Sequence, residues 1–198
     1  EVFRTNYWGD PESVSGVGSN LQQTAVVRAE LPRLLRELGA RSLLDVPCGD
    51  FHWMRLVELP VEQYIGGDLV AELAALNQER YGRPGREFRR IDLLSDPLPR
   101  ADAVFCRDCL VHLSHTDVHT ALRNLRTSGA EYLITTTFPA QRRNRDIVTG
   151  EWRPLNLQVA PFGFPPPLQL VNEQSNESGG LYPDKSLGVW RVRDLPGE

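Results

Sequence analysis

Short apolar runs alternate with amphipathic stretches along the middle of the chain. Five of the runs have the length of a buried strand, and they are Ser42–Val46, Gln63–Gly67, Glu87–Ile91, Ala103–Cys106 and Glu131–Phe138. Helical periodicity lies between them, near Phe51–Glu58, Val70–Tyr81 and Thr116–Ser128. Such alternation predicts βαβ units, and therefore an α/β fold whose doubly wound, mostly parallel sheet is covered by helices on both faces.

The segment before this alternation has its own helical pattern. Apolar positions recur at roughly helical spacing from Leu21 to Leu38. Ser19 is a candidate cap and Gly39 a candidate stop. Pro32 lies inside the pattern, and we expect it to kink the helix or divide it in two.

The alternation fails after the fifth strand. Residues 139–167 are rich in turn residues and basic side chains, and a loop of this length is typically functional or disordered. Two strand-like runs follow, Leu168–Glu173 and Ser186–Arg193, joined by a segment that contains glycine and asparagine. We predict that they form an antiparallel pair at the edge of the sheet.

Composition narrows the class of protein. The chain has 198 residues, 40% of them hydrophobic, which suits one globular domain. Its formal net charge of −4 disfavours a nucleic-acid partner. Three irregularly spaced cysteines do not resemble a disulfide framework, and no run reaches the ~18 apolar residues of a membrane span. We therefore expect a cytoplasmic protein with no membrane partner, and a homodimer stays open.

Acidic residues close three successive predicted strands. They are Asp45, Asp68 and Asp92. In an open α/β sheet the carboxyl ends of the strands border the ligand crevice. Asp68 lies near the ~20-residue offset from the first strand at which an acid meets ribose hydroxyls, and Asp92 could accept a hydrogen bond from an adenine amino group. Each acid alone could equally be a strand end or a helix cap.

The turn after the first strand, "DVPCGDF", disfavours a dinucleotide. A pyrophosphate site uses three glycines so that the backbone can approach the phosphates. Here Pro47 and Phe51 occupy two of those places, and Asp50 adds a negative charge. A nucleoside that carries a positive charge, such as S-adenosylmethionine, tolerates these acids. A nicotinamide oxidoreductase remains the alternative from another class.

Several motifs resemble those of the class I S-adenosylmethionine-dependent methyltransferases. "LLDVPCGDF" resembles their first motif, "YIGGDL" and "RRIDLL" their next two acids, and "DAVFCRDCLVHLS" their fourth strand. The resemblance covers roughly Leu43 to Phe138, and it implies a Rossmann-like fold and S-adenosylmethionine as the cofactor. "SVSGVGSNL", "TTTF", "WRPLNL" and "DKSLGVW" suggest a bacterial subfamily whose acceptor is unknown.

The resemblance also implies a set of cofactor-binding residues. They are Asp45, Cys48, Gly49, Asp68, Leu69, Asp92, Leu93, Cys106 and Arg107, with Ser15, Gly16 and Ser19 folding over the amino acid end. The single domain then divides into an N-terminal cap segment and helix (1–40), a cofactor-binding core (41–138), an acceptor-side insert (139–167) and a C-terminal strand pair (168–198).

The end of the fourth strand offers a candidate base. Asp108 and His112 lie four residues apart, so on a helical turn they share a face, and Asp108 could orient His112 to accept a proton from a hydroxyl. Asp108 is the second candidate for the base, and a surface histidine beside a surface acid is the alternative to both.

Metal and redox readings of the same region are weaker. His115 and His119 continue the spacing of His112, but Ser114 followed by Asp117 predicts a helix N-terminus that would break the stripe, so no metal site is predicted. The Cys-x-x-Cys spacing of "CRDC" leaves a redox or zinc reading open.

The insert is the predicted acceptor side. Trp152 and Phe162 offer aromatic surfaces, and Arg142 and Arg153 offer hydrogen-bond donors. These side chains suit a small polar acceptor, and we expect a hydroxyl on a carbohydrate or secondary metabolite. Alternatively, the aromatic residues anchor the loop and the arginines are solvated or meet an anion. A non-catalytic S-adenosylmethionine-binding protein is a further alternative.

Overall fold

A seven-stranded sheet forms the centre of the molecule in a computed structural model that describes residues 9–197. Its strands are β1 (Ser42–Asp45), β2 (Gln63–Asp68), β3 (Arg86–Arg90), β4 (Ala103–Cys106), β5 (Tyr132–Thr137), β6 (Gln169–Asn172) and β7 (Ser186–Arg191). They lie in the order β3-β2-β1-β4-β5-β7-β6, with β1 to β5 parallel and β7 antiparallel to both its neighbours. The predicted doubly wound sheet with a C-terminal antiparallel pair is confirmed.

Strand order reverses between β1 and β4. The chain builds β2 and β3 on one side of β1 and then returns to place β4 on its other side. Ligands of open α/β sheets bind at the carboxyl ends of the strands at such a switch point. The turn after β1 and the turn after β4 therefore face the same crevice.

Three helices cover the sheet: α1 (Ala25–Leu38), α2 (Ala71–Tyr81) and α3 (His115–Thr127). The predicted stop of α1 is confirmed, because Gly39 has a left-handed φ of 67° and its N–H bonds back to the last turn. The predicted cap of α3 is also confirmed, since Ser114 Oγ accepts a hydrogen bond of 3.1 Å from the Asp117 N–H.

The start of α1 differs from expectation, and so does one of the two effects expected of Pro32. Ser19 ends a separate 3-10 turn, Val17–Ser19, and α1 begins at Ala25. Pro32 does not divide the helix, which runs through it, and its ring is buried against the core. Burial of the apolar face of α1 outweighs the loss of one backbone hydrogen bond.

The helix predicted near Phe51–Glu58 is wrong. Only a 3-10 turn, Met54–Leu56, connects this part of the chain. Phe51 has φ 57° and its ring is buried, 4.9 Å from the Phe88 ring and 5.4 Å from the Tyr64 ring. This aromatic packing holds the connection between β1 and β2 in a conformation without an α-helix, so no helix N-terminus points at the turn after β1.

The insert closes one face of the sheet. One core layer joins α1 to the sheet, and the other joins α3 and the insert to the opposite face. Residues 139–167 contribute buried Leu155, Leu157, Phe162 and Phe164 to the second layer. None of the helices within residues 9–197 is long and apolar enough to cross a bilayer.

Candidate active site

Two cavities lie side by side at the carboxyl ends of the strands. The strand-end cavity, of about 260 Å³, is bordered by the turns after β1 and β4 and includes Asp45, Gly49, Asp68, Phe105 and Arg107. The aromatic cavity, of about 290 Å³, lies beneath the insert and includes Phe138, Trp152, Glu177, Tyr182 and Lys185. Four residues line both cavities, namely Ser15, Ser19, Asp108 and His112. These shared residues mark the junction of the two cavities.

Asp68 anchors the turn after β1. Its Oδ2 accepts a hydrogen bond of 3.1 Å from the Gly49 N–H, and its Oδ1 accepts one of 2.9 Å from the Val70 N–H. Burial raises the pKa of Asp68, against the lowering effect of both backbone hydrogen bonds. The carboxylate thus holds the two strand ends together while still lining the strand-end cavity.

Asp45 lies deeper in the same cavity and is 3% exposed. Its Oδ2 accepts a hydrogen bond of 2.5 Å from the Tyr64 hydroxyl. Burial raises the pKa of Asp45, with a smaller upward contribution from the nearby Asp68, while Tyr64 and Arg107 lower it. The net result is a pKa of about 7. A cation in the cavity would favour the ionised form of this carboxyl.

Asp50 fixes the N-terminal segment over the strand-end cavity. Its Oδ2 accepts hydrogen bonds from the Ser13 hydroxyl at 2.9 Å and the Val14 N–H at 3.0 Å. Gly49 has φ 55°, and a Cβ there would lie 2.3 Å from Ser15 Oγ, so glycine permits this close approach. Asp50, whose negative charge disfavours a phosphate ligand, therefore anchors the segment around Ser13 and Val14 by hydrogen bonds.

A buried ion pair ties the end of β4 to the end of β6. Arg107 donates to Glu173, with an Nη2 to Oε2 distance of 2.7 Å, and its Nη1 donates to the Gly18 carbonyl at 2.9 Å. Both side chains are almost fully buried. Burial lowers the pKa of Arg107, but Asp108 and Glu173 outweigh it and the net shift is upward.

Asp108 and Lys185 form the polar wall at the junction. Lys185 Nζ donates 2.7 Å hydrogen bonds to Asp108 Oδ2 and to Glu177 Oε2. The Asp108 N–H donates to Thr136 Oγ1 at 2.8 Å, which holds Asp108 at its left-handed φ of 51°. Burial raises the pKa of Asp108, but Arg107 and Lys185 bring it down to about 2, so the group is a carboxylate at neutral pH.

His112 ends a 3-10 turn, Leu110–His112, rather than lying on one helical turn with Asp108. Its Nδ1 lies 3.0 Å from the Glu151 carbonyl oxygen. Because a carbonyl only accepts, we assign the proton of the neutral ring to Nδ1, which leaves the lone pair on Nε2. Burial lowers the pKa of His112, against the raising effects of Glu151 and Asp108, so the ring is neutral at physiological pH.

The strand-end cavity fits a cationic nucleoside better than a dinucleotide. It offers buried carboxyls at Asp45 and Asp68, and no helix begins at the turn after β1 to hold a pyrophosphate. Ribose hydroxyls could donate to Asp68, and a positively charged amino acid tail suits Asp45.

Comparison with known proteins agrees with this geometry. Residues 44–128 match the sequence model of a family described as "Methyltransferase domain". No curated protein matches the chain in sequence.

Solved structures share the fold over most of the chain. The N-methyltransferase NodS from Bradyrhizobium japonicum WM9, in complex with S-adenosyl-L-homocysteine, superimposes with a TM-score of 0.68 over 96% of this chain and 97% of its own, at 14% identity. The Burkholderia thailandensis 1,6-didemethyltoxoflavin-N1-methyltransferase gives 0.61 over 86% and 79%, at 19% identity. The methyltransferase domain of bacterial CtHen1-C gives 0.51 at 18% identity over 60% of this chain, which spans only 66% of that domain.

The family match and the strand order agree with the resemblance seen in the sequence. Residues 44–128 therefore resemble a methyltransferase domain, and the chain has the fold of the class I S-adenosylmethionine-dependent methyltransferases. Its fold places most of the predicted cofactor residues together. Those that line the strand-end cavity are Asp45, Cys48, Gly49, Asp68, Arg107, Ser15 and Ser19. Gly16 lines the aromatic cavity instead.

Four other residues predicted to bind the cofactor lie outside the lining of the strand-end cavity. Leu69 is 59% exposed at the surface, whereas the side chains of Leu93 and Cys106 are buried in the core. Asp92 accepts a 2.9 Å hydrogen bond from the Leu94 N–H. A cofactor role for these four residues stays a prediction.

Two predicted acceptor residues need correction. Arg153 is 0% exposed, and its guanidinium donates to the Leu110 and Leu113 carbonyls at 2.8 and 2.7 Å. It therefore stabilises the turn that carries His112 and is sealed from any acceptor. Phe162 is buried against the rings of His115 and His119 and anchors the insert.

Of the other two predicted acceptor residues, Trp152 lines a cavity and Arg142 does not. Trp152 lines the aromatic cavity, half-buried, with its ring 4.9 Å from that of Tyr182. Arg142 is exposed and lies outside the lining of both cavities. Within residues 9–197 no cluster of three or more metal-ligating side chains is found.

Sequence reasoning missed Glu173, Glu177, Tyr182 and Lys185. The motif "DKSLGVW" contained the one usable signal, a lysine that leads directly into an apolar strand. The partners of Lys185 are Asp108, which follows β4, and Glu177, which lies between β6 and β7. No local sequence pattern indicates that these distant residues meet.

Proposed function

We propose that this protein is an S-adenosylmethionine-dependent methyltransferase that methylates a hydroxyl of a small polar acceptor, a carbohydrate or secondary metabolite, held in the aromatic cavity. The observation that carries the proposal is the junction of the two cavities. A methyl group that is transferred from the strand-end cavity to the aromatic cavity must pass through this junction. Four residues line it, namely Ser15, Ser19, Asp108 and His112. His112 is the one side chain of this junction whose chemistry suits a general base at neutral pH.

Methyl transfer is an in-line displacement, to which an enzyme contributes chiefly proximity and orientation. When bound, S-adenosylmethionine supplies an electrophilic methyl group on a sulfonium. A hydroxyl acceptor must also lose its proton, and we assign the role of accepting it to His112 Nε2. The Glu151 carbonyl fixes the ring through Nδ1, and the nearby Asp108 carboxylate stabilises the imidazolium that forms.

The surroundings of His112 are rigid, which supports this role. Arg153 holds the carbonyls of the 3-10 turn, and Asp108 is fixed by Lys185 and Thr136. Trp152 and Tyr182 present flat apolar surfaces that suit a sugar or another ring. A cavity of about 290 Å³ favours a small molecule over a polymer.

The test is the substitution His112→Asn, which keeps an N–H for the Glu151 carbonyl and removes the base. An acceptor is first found by screening sugars and small hydroxylated metabolites for S-adenosylhomocysteine release. We expect turnover to fall by ~10²-fold or more, with S-adenosylmethionine affinity nearly unchanged. The turnover of the wild-type enzyme should decline on the acid side of the ordinary histidine value of about 6.5, because burial lowers the pKa of His112.

His119→Asn is the matched control, because His119 contacts Phe162 away from the cavities and should tolerate the change without a catalytic loss. Near-normal turnover of His112→Asn across pH would end the base proposal. Cofactor binding without methylation of any acceptor would favour a non-catalytic binding protein.

A further inference from the structure

The aromatic cavity combines two features that favour a positive charge, and neither is required for transfer to a neutral hydroxyl. The first is its apolar wall, made of the rings of Phe138, Trp152 and Tyr182, with centroids 4.9 to 6.0 Å apart. The faces of aromatic rings carry partial negative charge and attract ammonium groups. A cavity lined this way binds a cation better than an anion of the same size.

The second feature is the charge of the opposite wall. Arg107 and Glu173 form one pair, and Lys185 and Asp108 form another. Glu177 is the fifth charged group of the network. Its Oε2 forms an ion pair with Lys185, which also pairs with Asp108. Two cations against three carboxylates leave one negative charge beside the cavity.

Glu177 is the group that can offer this charge to a ligand. Its Oε2 accepts hydrogen bonds from Lys185 Nζ at 2.7 Å and from the Ser175 hydroxyl at 3.0 Å. Its Oε1 accepts none from the part of the chain that the structure describes, and the residue lines the aromatic cavity with about a quarter of its side chain exposed. An ammonium that sits against the rings could therefore pair with Glu177 Oε1.

The remaining charged groups give an anion no support. Arg153 is sealed in the core and Arg142 lies outside the cavity lining. Lys185, the cation of the cavity wall, is already held by two carboxylates at 2.7 Å. His112 is neutral at physiological pH, since burial lowers its pKa.

We propose that the acceptor carries a cationic amino group, which binds between Glu177 and the rings of Trp152 and Tyr182, while its hydroxyl faces His112. The inference deepens the proposed function and names its substrate class as amino alcohols and amino sugars. Phosphorylated and carboxylated metabolites are excluded by the same negative charge.

Calorimetric titration tests the charge preference without any methyl transfer. The protein saturated with S-adenosylhomocysteine is titrated with choline and with 3,3-dimethylbutan-1-ol, the uncharged carbon isostere of choline. We expect choline to bind at least about tenfold more tightly, from the cation–π and ion-pair contributions together. Equal affinity for the two probes, or binding of neither, would overturn the proposal.

Three variants locate the preference. Glu177→Gln keeps an oxygen for Lys185 and should reduce the preference to about threefold or less, and Trp152→Leu should weaken choline more than the isostere. Glu58→Gln makes the same chemical change at an exposed position away from both cavities and should leave the ratio unchanged. A preference that survives Glu177→Gln contradicts the assignment. Because no base is involved, this outcome is independent of the His112 experiment.

Discussion

At the scale of single residues, three acids around the turn after β1 use their oxygens in three different ways. Asp68 holds backbone N–H groups, Asp50 holds the N-terminal segment, and Asp45 accepts from the Tyr64 hydroxyl in a fully buried position. Asp45 is the costly member, because desolvation raises its pKa to about 7. The free-energy cost of burying a carboxylate is typical of a binding site, where a cationic ligand can offset it.

The raised pKa of Asp45 predicts a pH dependence of stability without ligand. The folded protein retains a proton that the unfolded chain releases above its ordinary pKa of about 3.8. The contribution of the protonated Asp45 to the free energy of unfolding is complete below pH 3.8 and is lost as pH rises through about 7. Over this window the free energy of unfolding should fall by roughly 3–4 kcal/mol relative to Asp45→Asn, whose amide oxygen can still accept from Tyr64.

Urea denaturation of both proteins between about pH 4 and pH 8 measures the difference. Comparing the two variants cancels the titration of all other groups. A difference that does not change with pH would show that Asp45 ionises at its ordinary pKa.

Sequence patterns revealed Asp45 and Asp68 because each closes a strand, and strand ends are visible as the end of an apolar run. The functions of Arg153 and Phe162 were not visible in the same way. An arginine and a phenylalanine in a turn-rich segment look alike whether they face a ligand or a core. Only tertiary packing places the Arg153 guanidinium on the carbonyls of the turn before His112.

At the scale of elements, the antiparallel pair β6–β7 carries part of the site as well as the sheet edge. Glu173 follows β6 and Lys185 precedes β7, and the Glu173 N–H donates to the Lys185 carbonyl at 2.9 Å. Through Arg107 and Asp108 the pair is joined to the end of β4. The C-terminal strands therefore position the junction of the cavities.

Breaking the buried pair should destabilise the whole protein. Glu173→Gln removes the carboxylate that lies 2.7 Å from the buried Arg107 and leaves Asp108 at 3.2 Å. We expect a loss of about 3 kcal/mol in the free energy of unfolding. Glu62→Gln is the control, because its ion pair with Arg41 lies on the surface and should contribute nothing measurable. A loss for Glu173→Gln no larger than that of the control would show that the network is not a stabilising link.

Elements with a local signal were predictable, and those set by distant contacts were not. The five parallel strands, α2 and α3 and the stop of α1 at Gly39 follow from apolar periodicity and cap residues. The missing helix after β1 has no such signal. Phe51–Glu58 reads as amphipathic, but the buried rings of Phe51 and Trp53 hold the segment against residues far away in the chain.

At the scale of the whole molecule, the switch point of the sheet brings the strand-end cavity and the aromatic cavity together. The ends of β1, β2 and β4 supply the acids of the strand-end cavity, and the insert and the connection between β6 and β7 contribute walls of the aromatic cavity. The N-terminal segment covers both, held by Asp50 and by the Arg107 bond to the Gly18 carbonyl. The strand-end cavity was predictable from the spacing of acids, whereas the aromatic cavity depends on how a long irregular insert packs.

The most direct test is calorimetric titration of the protein with S-adenosylmethionine and, in parallel, with NADH. We expect S-adenosylmethionine to bind at about one molecule per chain and NADH to give no binding. Asp68→Ala should weaken S-adenosylmethionine by at least about tenfold, which is roughly 1.4 kcal/mol, while exposed Asp194→Ala leaves it unchanged. Binding of NADH alone, or an unchanged affinity in a folded Asp68→Ala protein, would contradict a cofactor held in the strand-end cavity.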